Sequence, residues 1–394
     1  MRTFTEFILK KGTTAFIVLC CLSVVFHIGC GGYGSGSGSK KPPVSKLAKR
    51  AFVTVTNPTT LSNTMLIMDA SKDQFTAFSI PLFGSHATLT QPGANNTTLV
   101  FSSSENGISI VDNATETVKN ANDIQLPGTT ESMVETSDGK TIYAAVRSTS
   151  QVSVVDVANE KVSANITVPS VRRVVLSHNN SKLLAFSDNT NSLAVINAAD
   201  NTVTTVSGFD RPFFAAFSTD DTKAYVLNCG PECGGNTASI TMLDMTASTP
   251  GAGANLPVSA ATTALLDSGN LYVAGTDKNG TGHLDTVNLS SFTVSKSVVI
   301  GNGFHSLLTL ASNNKLFVGA QSCTTGCLSI VDISAGTAVI DNPAGDVSGI
   351  APISGRNVMY VTEGGELRIF DTTTSKPQAN QLDIVGTAAG VVAP

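Results

Sequence analysis

The chain has 394 residues, of which 41% are hydrophobic and 13% are charged, and its formal net charge is −5. So large an apolar share with so little charge excludes an intrinsically disordered protein and provides for a substantial hydrophobic core. Tryptophan is absent and tyrosine occurs only 5 times, so stacked-aromatic platforms for sugars or nucleic-acid bases are not expected.

The N-terminus has the pattern of an export signal. Basic residues precede an apolar run at 13–26, which suits a secretory signal and is shorter than the ~20 residues of a membrane-spanning helix. Gly29 and Cys30 then resemble the lipobox at which bacterial lipoproteins are cleaved and lipidated. We therefore predict a signal peptide over residues 1–29 and a lipid on Cys30. The alternative is an ordinary cleaved signal peptide, in which Cys30 has no role.

Residues 30–50 have the composition of a flexible tether. The segment is rich in glycine and serine, then basic and interrupted by proline, and twenty such residues reach about 25 Å. Its basic side chains favour anionic lipid headgroups.

Beyond residue 50 the chain has 16 basic and 28 acidic residues, a net charge of −12. We therefore predict an exported, membrane-anchored lipoprotein, periplasmic or at the cell surface, with no nucleic-acid partner.

One short hairpin pattern recurs along residues 51–394. An Asp or Asn closes each copy, at Asp69, Asp112, Asp156, Asn197, Asp244, Asn288, Asp332 and Asp371. Neighbouring copies are 39–47 residues apart, and about 40–45 residues with four strand-length segments is the signature of a β-propeller blade. Hydrophobic residues alternate with a period of two, so helical repeats of similar length are excluded. The closing Asp is interpreted as structural, since its carboxylate can accept hydrogen bonds from the following turn.

The count of repeats predicts the fold class: an all-β chain that forms a single β-propeller of eight four-stranded blades. The first unit lacks an innermost strand, and the chain ends on one unaccompanied strand-like segment at 387–394. We predict that this C-terminal strand joins the N-terminal blade, closes the ring and removes an exposed sheet edge. Seven blades remain the alternative, if the weakly patterned stretch 249–270 or the N-terminal unit is misassigned.

Two of the repeats resemble a known family. The segments TSDGKTIYAAVRSTSQVSVVDVANEKVSANITV, from Thr136, and NVMYVTEGGELRIFDTTT, from Asn357, are similar to the bacterial YVTN-type β-propeller repeat. The resemblance implies the propeller fold over residues 51–394, and the family includes surface-layer and cell-surface proteins. Because its relatives include lactonase-like and dehydrogenase-like propellers, the resemblance leaves the function open.

Four cysteines follow the N-terminal segments, in two close pairs. Cys229 and Cys233 lie between the second and third strands of the fifth unit, and Cys323 and Cys327 lie at the same place in the seventh. In an exported protein such pairs indicate disulfides. The alternative is one shared four-cysteine zinc site, but a whole blade separates the pairs, which favours two disulfides.

The string DKNGTGHLD, at 277–285 in the sixth unit, has the spacing of a short calcium loop. Asp277, Asn279, Thr281 and Asp285 would supply oxygen ligands, which suit a hard cation. The alternative is an ordinary Asn-Gly-Thr-Gly hairpin turn without a metal. Calcium is the one cofactor candidate, because histidines are too few for a haem or copper propeller.

The mouth of the central channel is the other candidate site, since the innermost strand of each blade begins there. The charged residues at this level are His86, Glu131, Arg172, Arg173, Asp210, Arg211, His305 and Asp346. Charges that converge from different blades could bind a small anion or a metal. The alternative is that they are solvated loop ends without a ligand.

The sequence thus favours a membrane-tethered extracytoplasmic propeller that serves as a binding or scaffold module for a protein or small ligand at its rim. No Ser/His/Asp or Cys/His arrangement occurs at a readable spacing, and we expect the protein not to be an enzyme. The alternative is a lactonase-like propeller enzyme that uses the channel mouth as its active site.

Overall fold

The computed structural model describes residues 44–56, 63–84, 89–247, 250–341, 345–378, 382, 384 and 386–394. The predicted signal peptide, the lipid site at Cys30, most of the tether and the channel-mouth candidate His86 therefore lie outside the described residues. The described chain begins at Val44, seven residues before the predicted start of the propeller. These residues contact blade 2: Ser45 N donates to Glu116 Oε2 at 2.7 Å, and Arg50 Nη1 lies 2.9 Å from Glu116 Oε1.

The chain forms eight antiparallel sheets, which are the predicted blades. From the innermost strand outward, blade 1 comprises Thr387–Val392, Arg50–Thr56, Asn63–Asp69 and Gln74–Pro81; blade 2, Leu89–Pro92, Thr97–Phe101, Gly107–Asp112 and Thr117–Val118, with Ile124–Gln125 also paired to its third strand; blade 3, Ser132–Glu135, Thr141–Val146, Gln151–Asp156 and Lys161–Thr167; and blade 4, Val171–Leu176, Lys182–Ser187, Ser192–Asn197 and Val203–Ser207.

The second half of the ring repeats this order. Blade 5 comprises Pro212–Phe217, Lys223–Asn228, Ser239–Asp244 and Ala252–Pro257; blade 6, Thr263–Asp267, Asn270–Thr276, Gly282–Asn288 and Thr293–Ile300; blade 7, Phe304–Leu310, Lys315–Gln321, Leu328–Asp332 and Thr337–Asp341; and blade 8, Val347–Pro352, Val358–Glu363, Glu366–Asp371 and Lys376–Pro377. Two short 3₁₀ helices, Arg147–Thr149 and Gly230–Cys233, follow second strands.

The hydrophobic core lies between the blades. In blade 3 the second strand is buried at five consecutive residues, from Ile142 to Val146, so both of its faces are covered. On one face, Tyr143 belongs to a cluster that includes Leu183 and Ile196 of blade 4. The outermost strands are largely exposed, as in Lys161–Thr167. One sheet cannot bury two faces alone, so the hairpin pattern must repeat until the ring closes.

Ring closure follows the prediction. The C-terminal strand pairs antiparallel with the first strand of the chain, with Phe52 opposite Val392 and Val53 opposite Val391. Blade 1 is thereby completed from both ends of the chain, and the count of eight blades is confirmed over seven.

The Asp that closes the third strand of many blades binds its own turn. In blade 2, Asp112 Oδ1 accepts hydrogen bonds from the backbone of Ala114 and Thr115 at 2.8 and 2.9 Å. In blade 8, Asp371 Oδ1 accepts from Thr373 N at 2.7 Å. The carboxylate satisfies N–H groups that the tight turn leaves unpaired, which explains its recurrence without any ligand.

Candidate functional site

One face of the ring carries both the channel mouth and the longer loops. In each blade the innermost strand runs away from this face and the second strand returns to it. The loops between second and third strands therefore project from the same face on which the innermost strands begin. We call this the loop face.

A β-bulge places two arginines at the channel mouth. In blade 4, Val171 lies opposite Ser187 and Arg173 lies opposite Phe186, so Arg172 is the extra residue of the bulge. A bulge breaks the strict alternation of a strand. As a result, both Arg172 and Arg173 line the channel.

Arg172 is held by two acidic side chains. Its Nε lies 3.2 Å from Glu131 Oε2 and its Nη1 lies 3.7 Å from Asp188 Oδ1. Asp188 also forms an ion pair with Arg147. These four side chains form a charge-balanced cluster at one side of the mouth.

Arg173 has aromatic neighbours and no acidic partner among the described residues. Its guanidinium carbon lies 4.6 Å from the ring centre of Phe213 and 5.5 Å from that of Phe214, both in blade 5. Burial, and next the charge of Arg172, lower its pKa to about 10, against a smaller opposite effect of Glu131. The side chain is therefore still a cation at neutral pH.

The aromatic rings continue across the mouth. Phe213 of blade 5 meets Phe304 of blade 7 edge to face, with ring centres 5.3 Å apart, although blade 6 lies between them in the sequence. Phe304 and Phe214 line a channel of 960 Å³, together with residues of blades 2, 3, 4 and 8. These rings were not predicted from the sequence, although Phe213 and Phe214 hold the same repeat positions as Arg172 and Arg173.

Of the predicted channel-mouth residues, the structure brings together Glu131, Arg172 and Arg173. His305 points elsewhere: it is 1% exposed, its Nε2 lies 3.0 Å from Gly301 O, and burial lowers its pKa to about 4. It is a neutral core histidine. Arg211 is half-buried at the start of blade 5, and its backbone N donates to Asn191 Oδ1 at 3.2 Å.

Asp210 and Asp346 hold the two cysteine loops. Both cysteine pairs are within disulfide distance, with Cα atoms 5.6 Å apart for Cys229–Cys233 and 5.4 Å apart for Cys323–Cys327. Asp210 Oδ2 accepts hydrogen bonds from Asn236 N and Thr237 N, each at 2.8 Å. Asp346 Oδ1 accepts from Ser322 N at 2.7 Å. These two carboxylates are therefore committed to loop backbone.

Further contacts join the loops of successive blades. Glu232, inside the first disulfide loop, accepts a hydrogen bond from Thr276 N of blade 6 at 2.8 Å. Thr276 Oγ1 in turn donates to Gly303 O at 2.7 Å. Asn302 Oδ1 then accepts from Thr324 N, inside the second disulfide loop, at 2.8 Å. We call the connected loops 229–238, 276–282 and 322–327 the loop rim.

The four candidate calcium ligands do not surround one point. Asp277 Oδ1 accepts hydrogen bonds from Asn279 N and Thr281 N, each at 2.9 Å, which lower the pKa of Asp277. Asp285 is buried, and its Oδ2 accepts from Ser259 N at 2.6 Å. Asp285 lies opposite Val273, three residue pairs away from the end of the hairpin that carries Asp277, Asn279 and Thr281. Three residue pairs correspond to about 10 Å along a strand.

The described part of the chain contains neither a metal-ligand cluster nor a membrane-spanning helix. There, no group of three or more His, Cys, Asp or Glu side chains has a geometry that could hold a metal ion. No helix within the same residues is long and apolar enough to cross a membrane.

Comparison with known proteins identifies the fold. No family model and no curated protein matches the sequence. Among solved structures, the chain resembles dihydro-heme d1 dehydrogenase NirN in complex with DHE, with 13% identity over 86% of this chain and 74% of that one, at a TM-score of 0.66. It also resembles apo AztD from Citrobacter koseri, with 13% identity over 88% and 98% of the two chains, at a TM-score of 0.57.

A third similar structure is the Cps50 (Swd1) β-propeller domain of Myceliophteria thermophila. It has 11% identity over 74% of this chain and 98% of that one, at a TM-score of 0.54. At such identities the likeness shows the β-propeller fold and nothing more specific.

Proposed function

We propose that the protein is an exported, membrane-tethered β-propeller of the YVTN type, and that it acts as a binding module whose loop rim docks a protein partner. The observation that carries the proposal is the continuous set of contacts across blades 5, 6 and 7, from Asp210 through Glu232, Thr276 and Asn302 to the second disulfide loop. The enzyme alternative has no comparable support, because Asp210 and Asp346 already bind loop backbone.

Rigidity supports a docking role for the loop rim. Loops usually lose conformational entropy when a partner binds, and loops that are already fixed lose less. The rim is fixed by two disulfides and by hydrogen bonds between blades. Its exposed side chains are mostly uncharged and polar, including Asn236, Thr237, Asn279, Thr324 and Thr325. Such a surface suits a partner that offers hydrogen bonds rather than a strong opposite charge.

The tether supports a location at a membrane. The lipobox-like Gly29-Cys30 and the Gly/Ser-rich segment after it have the composition of a lipid-anchored tether, which would hold the propeller at a membrane. Two cysteine pairs at disulfide distance agree with an oxidising compartment. Mass spectrometry of the N-terminal peptide should show fatty-acid chains on Cys30 of the mature protein and none in Cys30→Ala. An unmodified Cys30 in the mature protein would contradict the lipid anchor.

The docking proposal is testable by site-specific photo-crosslinking in the native host. A photoreactive residue is placed at Asn236 or Thr325, on the loop rim, and at Thr219 or Ser312, which are exposed on the opposite face of the same blades. We expect the two rim positions to capture one common protein and the two control positions not to capture it. Equal capture from both faces, or none from the rim, would overturn the proposal.

A further inference from the structure

We infer that the channel mouth is a second binding site, independent of the loop rim, for a small organic monocarboxylate with an apolar or aromatic body, held by Arg173. The inference starts from the unmatched guanidinium. Arg173 is half-buried, and the described residues give it two phenylalanine rings and no ion pair. An arginine has five N–H donors, and the described residues provide no carboxylate for those of Arg173, so they can be offered to a ligand in the channel.

The charges near Arg173 set the charge of the ligand. Glu131 and Asp188 are both engaged by Arg172, and Asp188 also by Arg147. Arg147, Arg172 and Arg173 against Glu131 and Asp188 leave one positive charge within this group, and it is that of Arg173. This local positive charge contrasts with the net charge of −12 for the chain beyond residue 50. One uncommitted cation matches one negative charge, and the planar guanidinium fork matches a carboxylate in particular.

The volume and lining of the channel indicate what kind of molecule carries the carboxylate. The channel volume of 960 Å³ lies in the range of small-molecule sites. Apolar side chains of several blades line it, among them Phe214 of blade 5, Leu307 of blade 7 and Val347 of blade 8. A ligand can therefore present its carboxylate to Arg173 and its apolar body to these side chains. An inorganic anion would leave the apolar lining without a partner.

The surrounding contacts pre-position Arg173. The bulge turns the side chain toward the channel, and its guanidinium lies over the ring of Phe213, which packs against Phe304. Such a cation–π contact favours one position of the guanidinium. Little side-chain entropy then remains to be lost when a carboxylate binds at the edge of the guanidinium. The rings thus position the arginine and do not replace its anionic partner.

Calorimetric titration of the full chain tests this site with named probes. The probes are benzoate, phenylbutyrate and indole-3-acetate, with benzamide as the uncharged match for benzoate, and acetate and inorganic phosphate as anions without an apolar body. We expect at least one aromatic carboxylate to bind, and benzamide, acetate and phosphate to bind at least about tenfold more weakly, which corresponds to about 1.4 kcal/mol.

Variants show whether Arg173 carries the binding. Arg173→Gln should reduce the affinity for the carboxylate about tenfold or more. Arg173→Lys should have an affinity between those of the wild type and Arg173→Gln, because lysine keeps the positive charge and loses the paired N–H donors of the guanidinium. Lys182→Gln is the control, because it removes one positive charge from the second strand of the same blade. Circular dichroism shows whether each variant is folded.

Several results would overturn the inference. These are no binding of any aromatic carboxylate, equal binding of benzamide and benzoate, tighter binding of phosphate, or unchanged affinity in a folded Arg173→Gln protein. Since the rim crosslinks do not depend on Arg173, failure here leaves the docking proposal standing.

Discussion

The carboxylate of Asp73 in blade 1 accepts a hydrogen bond from the phenol of Tyr360 in blade 8, at 2.6 Å, although 287 residues separate the two in sequence. Arg356 of blade 8 joins the pair, with Nη2 donating to Asp73 Oδ2 at 2.8 Å and Nη1 to Ala70 O at 2.6 Å. These contacts fasten the last blade to the first, beside the seam where the ring closes.

The Asp73 contacts predict a stability loss in Asp73→Asn. Burial raises the pKa of Asp73, but hydrogen bonds from Arg356 and Tyr360 outweigh it, so the pKa lies below its usual value. The carboxylate is thus charged in the folded protein, and its stabilisation is present above the ordinary pKa and lost as the pH falls through the folded value. We expect the variant to lose about 2 kcal/mol in urea unfolding at pH 7.

Asp112→Asn is the matched control for this prediction. Asp112 binds only its own exposed turn, so we expect a loss of at most about 1 kcal/mol. If the two variants unfold at the same urea concentration, the Asp73 contacts do not strengthen the seam.

Deletion of residues 387–394 should destabilise blade 1 more than a terminal truncation ordinarily does. The deletion exposes the backbone of Arg50–Thr56 along one edge and removes Ala388, Val391 and Val392 from the core. Hydrogen exchange should show loss of protection in blades 1 and 8 first, together with a tendency to aggregate at the open edge. Unchanged protection of the first strand would contradict the role of the closing strand.

Glu232 predicts a pH dependence of stability. Burial raises its pKa to about 7, against the smaller opposite effect of the hydrogen bond from Thr276 N. A carboxyl whose folded pKa is raised contributes stability below its unfolded pKa, and that contribution is lost as the pH rises through the folded value. The melting temperature should therefore decrease between about pH 4.5 and 7, and less so in Glu232→Gln. Glu366→Gln, at an exposed site, should keep the wild-type slope.

The first disulfide loop should matter more for local order than for global stability. A ring of five residues removes little unfolded-state entropy, worth about 2 kcal/mol at most. The Cys229→Ser/Cys233→Ser protein should fold, with faster hydrogen exchange at the amides of Asn236 and Thr237. Asp210→Asn, which weakens the hydrogen bonds to these amides, should have the same effect with the disulfide intact. Slow exchange in both variants would show that neither contact orders the loop.

The architecture was predictable because its signals are local and repeated. An Asp or Asn closes each third strand and binds its own turn, so the register of the blades can be read along the chain. The closing strand was also predictable. The first repeat lacks its innermost strand, and the strand at 387–392 has no repeat of its own to belong to.

The candidate site was less predictable, because it depends on bulges and on partners distant in sequence. One extra residue in a strand shifts which side chains face the channel. Arg172 and Arg173 thus both reach the channel, whereas His305 is buried. Asp210 accepts hydrogen bonds from Asn236 and Thr237, which follow it by 26 and 27 residues. A disulfide loop lies between them, and the sequence does not specify its path.

The pairing of the two chain ends also sets an order of assembly. Among the described strands, Phe52 belongs to the first to be synthesised and Val392 to the last. Blades 2 to 8 each draw on one continuous stretch of chain, so each can form as soon as its own hairpins have emerged. Blade 1 must wait, with the hydrophobic residues of its three N-terminal strands uncovered, until residues 387–392 have been made. The blade that is begun first is therefore completed late, and its strands are the ones most in need of protection from aggregation during synthesis.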